Sequence, residues 1–310
     1  MPVDSDRAAG VLLGLACGDA LGRPVEGLPP HAIESRYGRL TEMAGDGVHH
    51  QPPGTLTDDT DLALCIARSL VERGDFAPTD VAKRFVAWYE AGPIGMGRLT
   101  ADAVRNLQDG LAWDEAGRQV WRNRPEGENA GNGSVMRCAP YAVAFAGDPA
   151  RLGVVSRESS AITHADPRCT AGCAVLNATL AALLRGDADG VDALELARRE
   201  VDDVPGELSE RLGAVPLSRE QCRTTAYVVD TLGTALSVGL TADSAEEGIV
   251  DAVNLGGDTD TIGAVTGAVV GAGFGASSLP ERWLSVLDHT DELGDLGERL
   301  ADLEPPSASG

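Results

Sequence analysis

The chain has 310 residues, 43% of them hydrophobic and 24% charged, the balance of a folded protein long enough to bury a sizeable core. Its 48 acidic residues outweigh 25 basic ones, and the formal net charge of -23 opposes binding to nucleic acid or to an anionic membrane surface. Aromatic residues make up only 4%, so the core must rest on Ala, Val, Leu and Ile.

The first predicted helix follows Ser5-Asp6 and covers RAAGVLLGLACGDALG. The preceding residues lack the basic stretch of a signal peptide. Thr57 opens TDDTDLALCIARSLVERG, a mostly buried helix ending at Gly74. Pro78-Thr79-Asp80 start the next, through VAKRFVAWYEAG. Asn132 or Ser134 is placed to cap VMRCAPYAVAFAG, with Pro140 expected to kink or end it. Asp166-Pro167 signals the start of RCTAGCAVLNATLAALLRG. Later helices are expected over 220–240, 244–254 and from Thr261 to about Ala272. Strand signals are weak throughout, so the fold class is all-α, one compact multi-helix domain over residues 1–304 with a disordered tail at 305–310.

The longest uncharged run, 261–279, is rich in Gly, Ala, Ser and Thr and reads as a buried helix rather than a membrane span. In it Gly263, Gly267 and Gly271 recur every fourth residue, which permits close helix–helix contact. The six cysteines form no CxxC pair and read as free thiols in a reducing, cytoplasmic compartment.

Two aspartate clusters dominate the chemistry, residues 57–61 (TDDTD) and 256–261 (GGDTDT), each where a loop turns into an apolar helix. Asp and Thr cap helices well, and one such residue would suffice. Grouped carboxylates repel unless cations neutralise them, and hard cations such as Mg²⁺ and Mn²⁺ choose oxygen ligands. Metal binding therefore requires that the two clusters meet. Gly256-Gly257 would supply the tight turn before the second. Three further segments stand out: Glu26 in the loop of GDALGRPVEG, GNGSVMR at 131–137, and ITHADPR with His164. Each also has a plain structural reading, as surface glutamate, turn and cap, or hydrogen-bonding histidine. Arg137 could pair with an anion or an aspartate.

In this order and over most of the chain, these segments resemble the signatures of the ADP-ribosylglycohydrolases. The resemblance implies a compact all-α fold with two Mg²⁺ or Mn²⁺ ions in a central cleft. It implies metal ligands at Thr57, Asp58, Asp59, Asp258, Asp260 and Thr261. It places Glu26 near metal and substrate, and substrate binding on Asn129, Gly131, Asn132, Gly133, Ser134 and His164; the chemistry of glycosidic cleavage then assigns proton transfer to Glu26 and Asp59. The implied partner is an ADP-ribosylated protein or small-molecule adduct, nucleic acid entering only as a modified substrate. One departure from the family pattern is Pro93, where relatives carry an aspartate before the pair Ile94-Gly95.

The charge balance generates a separate expectation. Lys83 is the only lysine, and excess carboxylate with so little lysine suits a salt-rich cytoplasm, where ions screen self-repulsion. The melting temperature is expected to rise from low salt to molar KCl in a thermal scan; unfolding in molar KCl would remove the salt-adapted reading.

Overall fold

The computed structural model describes residues 3–47 and 50–303; the tail expected to be disordered, 305–310, lies outside the described residues. Sixteen α-helices are described. The first eight are α1 (Ser5–Gly22), α2 (Pro30–Tyr37), α3 (Asp58–Arg73), α4 (Pro78–Glu90), α5 (Arg98–Gln108), α6 (Trp113–Asn123), α7 (Ala139–Ala144) and α8 (Pro149–Ala161). The rest are α9 (Pro167–Arg185), α10 (Val191–Glu200), α11 (Gly206–Gly213), α12 (Val228–Leu240), α13 (Ala245–Val253), α14 (Thr259–Phe274), α15 (Glu281–Leu284) and α16 (Thr290–Ala301). Among the described residues there is no strand, only two isolated bridges, Asp46–Gln51 and Gly131–Tyr227. The fold is all-α, as expected.

Local chemistry explains several helix ends. Thr57 caps α3 by accepting from the Asp59 N–H, and Gly74 closes it in the left-handed region. Asp166 caps α9 through the Arg168 N–H, with Gly186 closing it in the same way. Ser244 caps α13. Two expectations need correction. The helix expected over 220–240 begins only at Val228. Upstream, Asp258 N–H donates to Thr224 O, Asn132 N–H donates to Ala226 O, and Thr234 Oγ1 takes both backbone groups of Arg223. Several backbone groups there are committed to distant partners, which interrupts a helical ladder. Pro140 does not kink or end a helix: it sits in the first turn of α7, after a 3₁₀ turn at Val135–Arg137, where a missing N–H costs nothing. Neither Asn132 nor Ser134 caps that turn; Ser134 Oγ instead accepts from Ser160 Oγ.

Two helices form the centre. α1 is buried on every side from Ala8 to Gly22, and α14 from Thr259 to Ala272. Helices apolar all round belong in a core. The segments Ser5–Val25 and Pro167–Arg185 have the length and composition to cross a membrane, but both are largely buried inside the fold. α16, α3 and α7 pack on α1, while α13, α12 and α9 pack on α14.

The two central helices run antiparallel with backbone against backbone. A Cβ at Gly14 would lie 2.2 Å from Gly267 O, one at Gly18 1.9 Å from Gly263 O, and one at Gly10 2.5 Å from Gly271 O. The glycine face seen in the sequence therefore meets a matching face on α1. At the far end Thr259 Oγ1 donates to Gly22 O at 2.8 Å. This seam brings the C-terminus of α1 beside the N-terminus of α14, a favourable dipole arrangement.

The same substitution on one helix should have opposite signs. Gly267→Ala puts a methyl within 1.9 Å of Gly14 O and should cost about 3 kcal/mol or more. Gly273→Ala meets nothing within 4 Å and should gain about 0.5 kcal/mol from helix propensity. Denaturant midpoints of the two variants decide this; equal midpoints would mean that the seam is not tight.

Candidate active site

The C-terminal half of α1 organises the site. Asp19 is fully buried, and its carboxylate accepts four hydrogen bonds from the start of α3. Thr57 N–H and Thr60 N–H donate to Oδ2 at 3.1 and 3.3 Å, Thr60 Oγ1 donates to Oδ2 at 2.6 Å, and Thr57 Oγ1 donates to Oδ1 at 2.9 Å. Asp19 thus pins the first acidic cluster to α1. The glycine seam pins the second cluster to the same helix. Sequence reasoning missed Asp19, although an aspartate inside the apolar run LGLACGDALG was a visible signal.

A turn-to-turn lock completes the arrangement. Gly27 N–H donates to Gly257 O at 2.8 Å, and Gly257 N–H donates to Leu28 O at 2.9 Å. Gly256 and Gly257 both have positive φ, 74° and 78°, which L side chains rarely adopt. The lock sets Glu26 beside the start of α14: carboxylate oxygens of Glu26, Asp258 and Asp260 lie within 4.8 Å of one another.

These groups line one cleft of about 500 Å³, an ordinary size for a small-molecule site. Its acidic side is Glu26, Asp58, Asp59, Asp258 and Asp260, with Thr261. Gly131, Asn132, Gly133 and His164 line the same cleft. Asp258 occupies the N-cap position of α14 yet makes no capping bond; its Oδ2 accepts from Asn132 Nδ2 instead. Simple helix capping does not account for that side chain. Asp59 Oδ1 is buried without a hydrogen-bond partner.

Other expected residues face elsewhere. Thr57 lies under the cleft, its hydroxyl proton directed to Asp19. Asp61, two residues round the helix from Asp59, turns to Trp88 Nε1 at 2.9 Å, so cluster one gives the cleft two carboxylates rather than three. Asn129 opens on a neighbouring hollow, where its Oδ1 accepts from Arg168. Ser134 is buried against Ser160. Arg137 pairs with no aspartate among the described residues; it donates to Gly133 O and Thr163 Oγ1, both at 2.7 Å. The loop after Pro93 lines the cleft through Gly95, Met96 and Gly97 and brings no carboxylate there. The cations at the cleft, Arg98 and Arg124, had no signal in the sequence beyond their charge.

Electrostatics mark the site. Burial pushes Asp19 up to about 6, and burial with mutual repulsion holds Asp58, Asp59 and Asp260 well above the usual aspartate range. Burial also raises Asp258, with Asn132 opposing the rise. His164 is pushed down to about 3 by burial and by the nearby Arg137.

The profile of a family described as ADP-ribosylglycohydrolase matches residues 1–309. The chain belongs to the ADP-ribosylglycohydrolase family. It is 33% identical over 289 residues to the ADP-ribosyl-[dinitrogen reductase] glycohydrolase of Rhodospirillum rubrum, covering 93% of this chain and 92% of that protein. It is 31% identical to the ADP-ribosylarginine hydrolase Tri1 of Serratia proteamaculans (strain 568), over 97% of this chain and 80% of that protein. A solved structure titled "ADP-ribosylglycohydrolase-related protein complex" superposes with a TM-score of 0.81 at 36% identity, covering 96% of this chain and 98% of that one. As a member of the ADP-ribosylglycohydrolases, the chain is an enzyme acting on ADP-ribosyl bonds.

The raised aspartates carry a pH prediction. The folded cluster keeps protons that the unfolded chain releases, so its stability is present at low pH and lost as pH rises from about 4 upward. With divalent cations chelated, Asp59→Asn should melt above wild type, by a margin that widens between about pH 4.5 and 8. A margin that shrinks with pH would contradict the charge crowding.

Proposed function

We propose that this glycohydrolase is divalent-cation-dependent and cleaves the glycosidic bond at the ribose anomeric carbon of an ADP-ribosylated protein or small-molecule adduct. The observation that carries the reading is the meeting of Glu26 with two acid-tipped helix starts in one cleft. The donor set fits two Mg²⁺ or Mn²⁺ ions. It is all oxygen, it is crowded with like charge, and Asp59 Oδ1 is buried and unsatisfied. Asp58 and Asp59 from α3 and Asp258, Asp260 and Thr261 from α14 would hold them. Thr57 gives its proton to Asp19 and accepts from the Asp59 N–H, which leaves one oxygen lone pair available to the same set. When bound, such cations polarise oxygens of the substrate and of water and offset the carboxylate charge.

The chain's own residues supply the rest. Gly131, Asn132 and Gly133, with His164 behind them, form a polar wall suited to the diphosphate and ribose. Asn132 bridges that wall to the acidic side through Asp258, so occupation of one side is felt at the other. Arg98 and Arg124 bring positive charge to a cleft that must admit an anion despite the net charge of -23. Glu26 is half-buried and reaches both cleft and solvent, which suits it to take the proton of the attacking water. As the bond breaks through an oxocarbenium-like state, the proton taken by Glu26 passes to the leaving nitrogen or oxygen, and Asp59 relays protons through the carboxylate oxygen it does not give to a cation. The arginine-directed relatives make ADP-ribosyl-arginine the first adduct to assay.

ADP-ribose release should stop in chelator and return with Mg²⁺ or Mn²⁺. The double variant Asp258→Ala/Asp260→Ala should stay folded by circular dichroism and lose at least about 100-fold in kcat. Undiminished turnover in chelator, or in the double variant, would defeat the metal-dependent reading.

A further inference from the structure

We propose that Thr163 is a positioning residue: it locks His164 in the Nε2–H tautomer, so that the imidazole meets the substrate as a neutral hydrogen-bond donor. The inference deepens the reading of the cleft as an ADP-ribosyl site and rests on it.

The argument is one of donor counting. Thr163 Oγ1 has two hydrogen-bond partners among the described residues, Arg137 Nη2 at 2.7 Å and His164 Nδ1 at 2.7 Å. A guanidinium only donates, so toward Arg137 the hydroxyl accepts. Its single proton is then left for His164. Thr163 is 1% exposed, which keeps bulk water from offering another acceptor. A hydroxyl that directed this proton nowhere would carry the cost of an unmade buried hydrogen bond. The proton therefore goes to Nδ1, Nδ1 is the acceptor, and the ring proton sits on Nε2.

Arg137 fixes the direction of the chain. It is buried and held from three sides: Nη1 donates to Gly133 O at 2.7 Å, Nη2 donates to Thr163, and the guanidinium stacks 4.7 Å from the Phe85 ring centre. The same cation therefore anchors the glycine loop and orders the hydroxyl that orders the histidine. The Nε2 edge lies against that loop: a Cβ at Gly133 would come within 3.0 Å of Nε2, and one at Gly131 within 3.5 Å. Burial and Arg137 both disfavour the imidazolium, so the ring stays uncharged at neutral pH. The ligand chemistry that matches is an oxygen acceptor, a phosphate or ribose oxygen of the ADP-ribosyl group.

Long-range proton–nitrogen correlation of the histidine rings, in ¹⁵N-labelled full-length protein at pH 7, reads the tautomer directly. His164→Gln assigns the signal. Wild type and Thr163→Ser should show Nε2–H alone, and Thr163→Val should show a changed tautomer population. KM should rise about tenfold in Thr163→Val with kcat less affected, and Thr163→Ser should restore it. Nδ1–H in wild type, or an unaltered signal in Thr163→Val, would overturn the proposal. If Thr163→Val does not fold, wild type and Thr163→Ser still decide it. The expected tautomers in a protein that hydrolyses no ADP-ribosyl substrate would support the relay while removing the functional reading it serves.

Discussion

Where α1 crosses α14, each helix presents a row of glycines to the carbonyls of the other, and no side chain separates them. Everything at the active site hangs from that crossing. It fixes the depth and register of α14, and so the height at which Asp258 and Asp260 emerge. α1 simultaneously holds α3 through the four hydrogen bonds to Asp19. One helix therefore carries both halves of the acidic site, and the chain leaving its C-terminus delivers Glu26 between them.

The site works against the stability of its own fold. Five carboxylates crowd one small, mostly buried region, and burial together with mutual repulsion drives their protonation upward. A fold tolerates this only with rigid backing, which here is a backbone-to-backbone seam rather than compressible side-chain packing. The buried arginines add to the backing. Arg23 donates to the carbonyls of Asp46, Pro52 and Thr55, tying the loop before α3 to the end of α1. Arg137 braces the glycine loop through Gly133. Neither of these two cations lines the cleft.

Family membership and local geometry agree on the chemistry while leaving its details to particular residues. Gly131, Asn132, Gly133 and His164 reach the cleft. Asn129 and Ser134, which flank them in sequence, do not: Asn129 accepts from Arg168 in a neighbouring hollow and Ser134 accepts from the buried Ser160. The loop after Pro93 lines the cleft with glycine and methionine and brings no carboxylate to it. Arg98 and Arg124 bring cations to it instead.

Helix caps, glycine closures and the all-round apolar character of α1 and α14 were legible from residues alone, because each depends on chemistry within a few positions along the chain. The acidic clusters were legible for a related reason: no local role requires so many carboxylates together. Residues 220–227 were misread because several of their backbone groups bond to partners at residues 132, 234 and 258, which no local pattern encodes. The same holds for Arg137, whose partners are a carbonyl and a hydroxyl, and for Asp61, which an indole draws away. Local sequence named the groups able to hold charge, but it could not say which would share a cavity. That depended on how closely two helices approach, a distance set by glycines nearly 250 residues apart that come into contact only when the whole chain has folded.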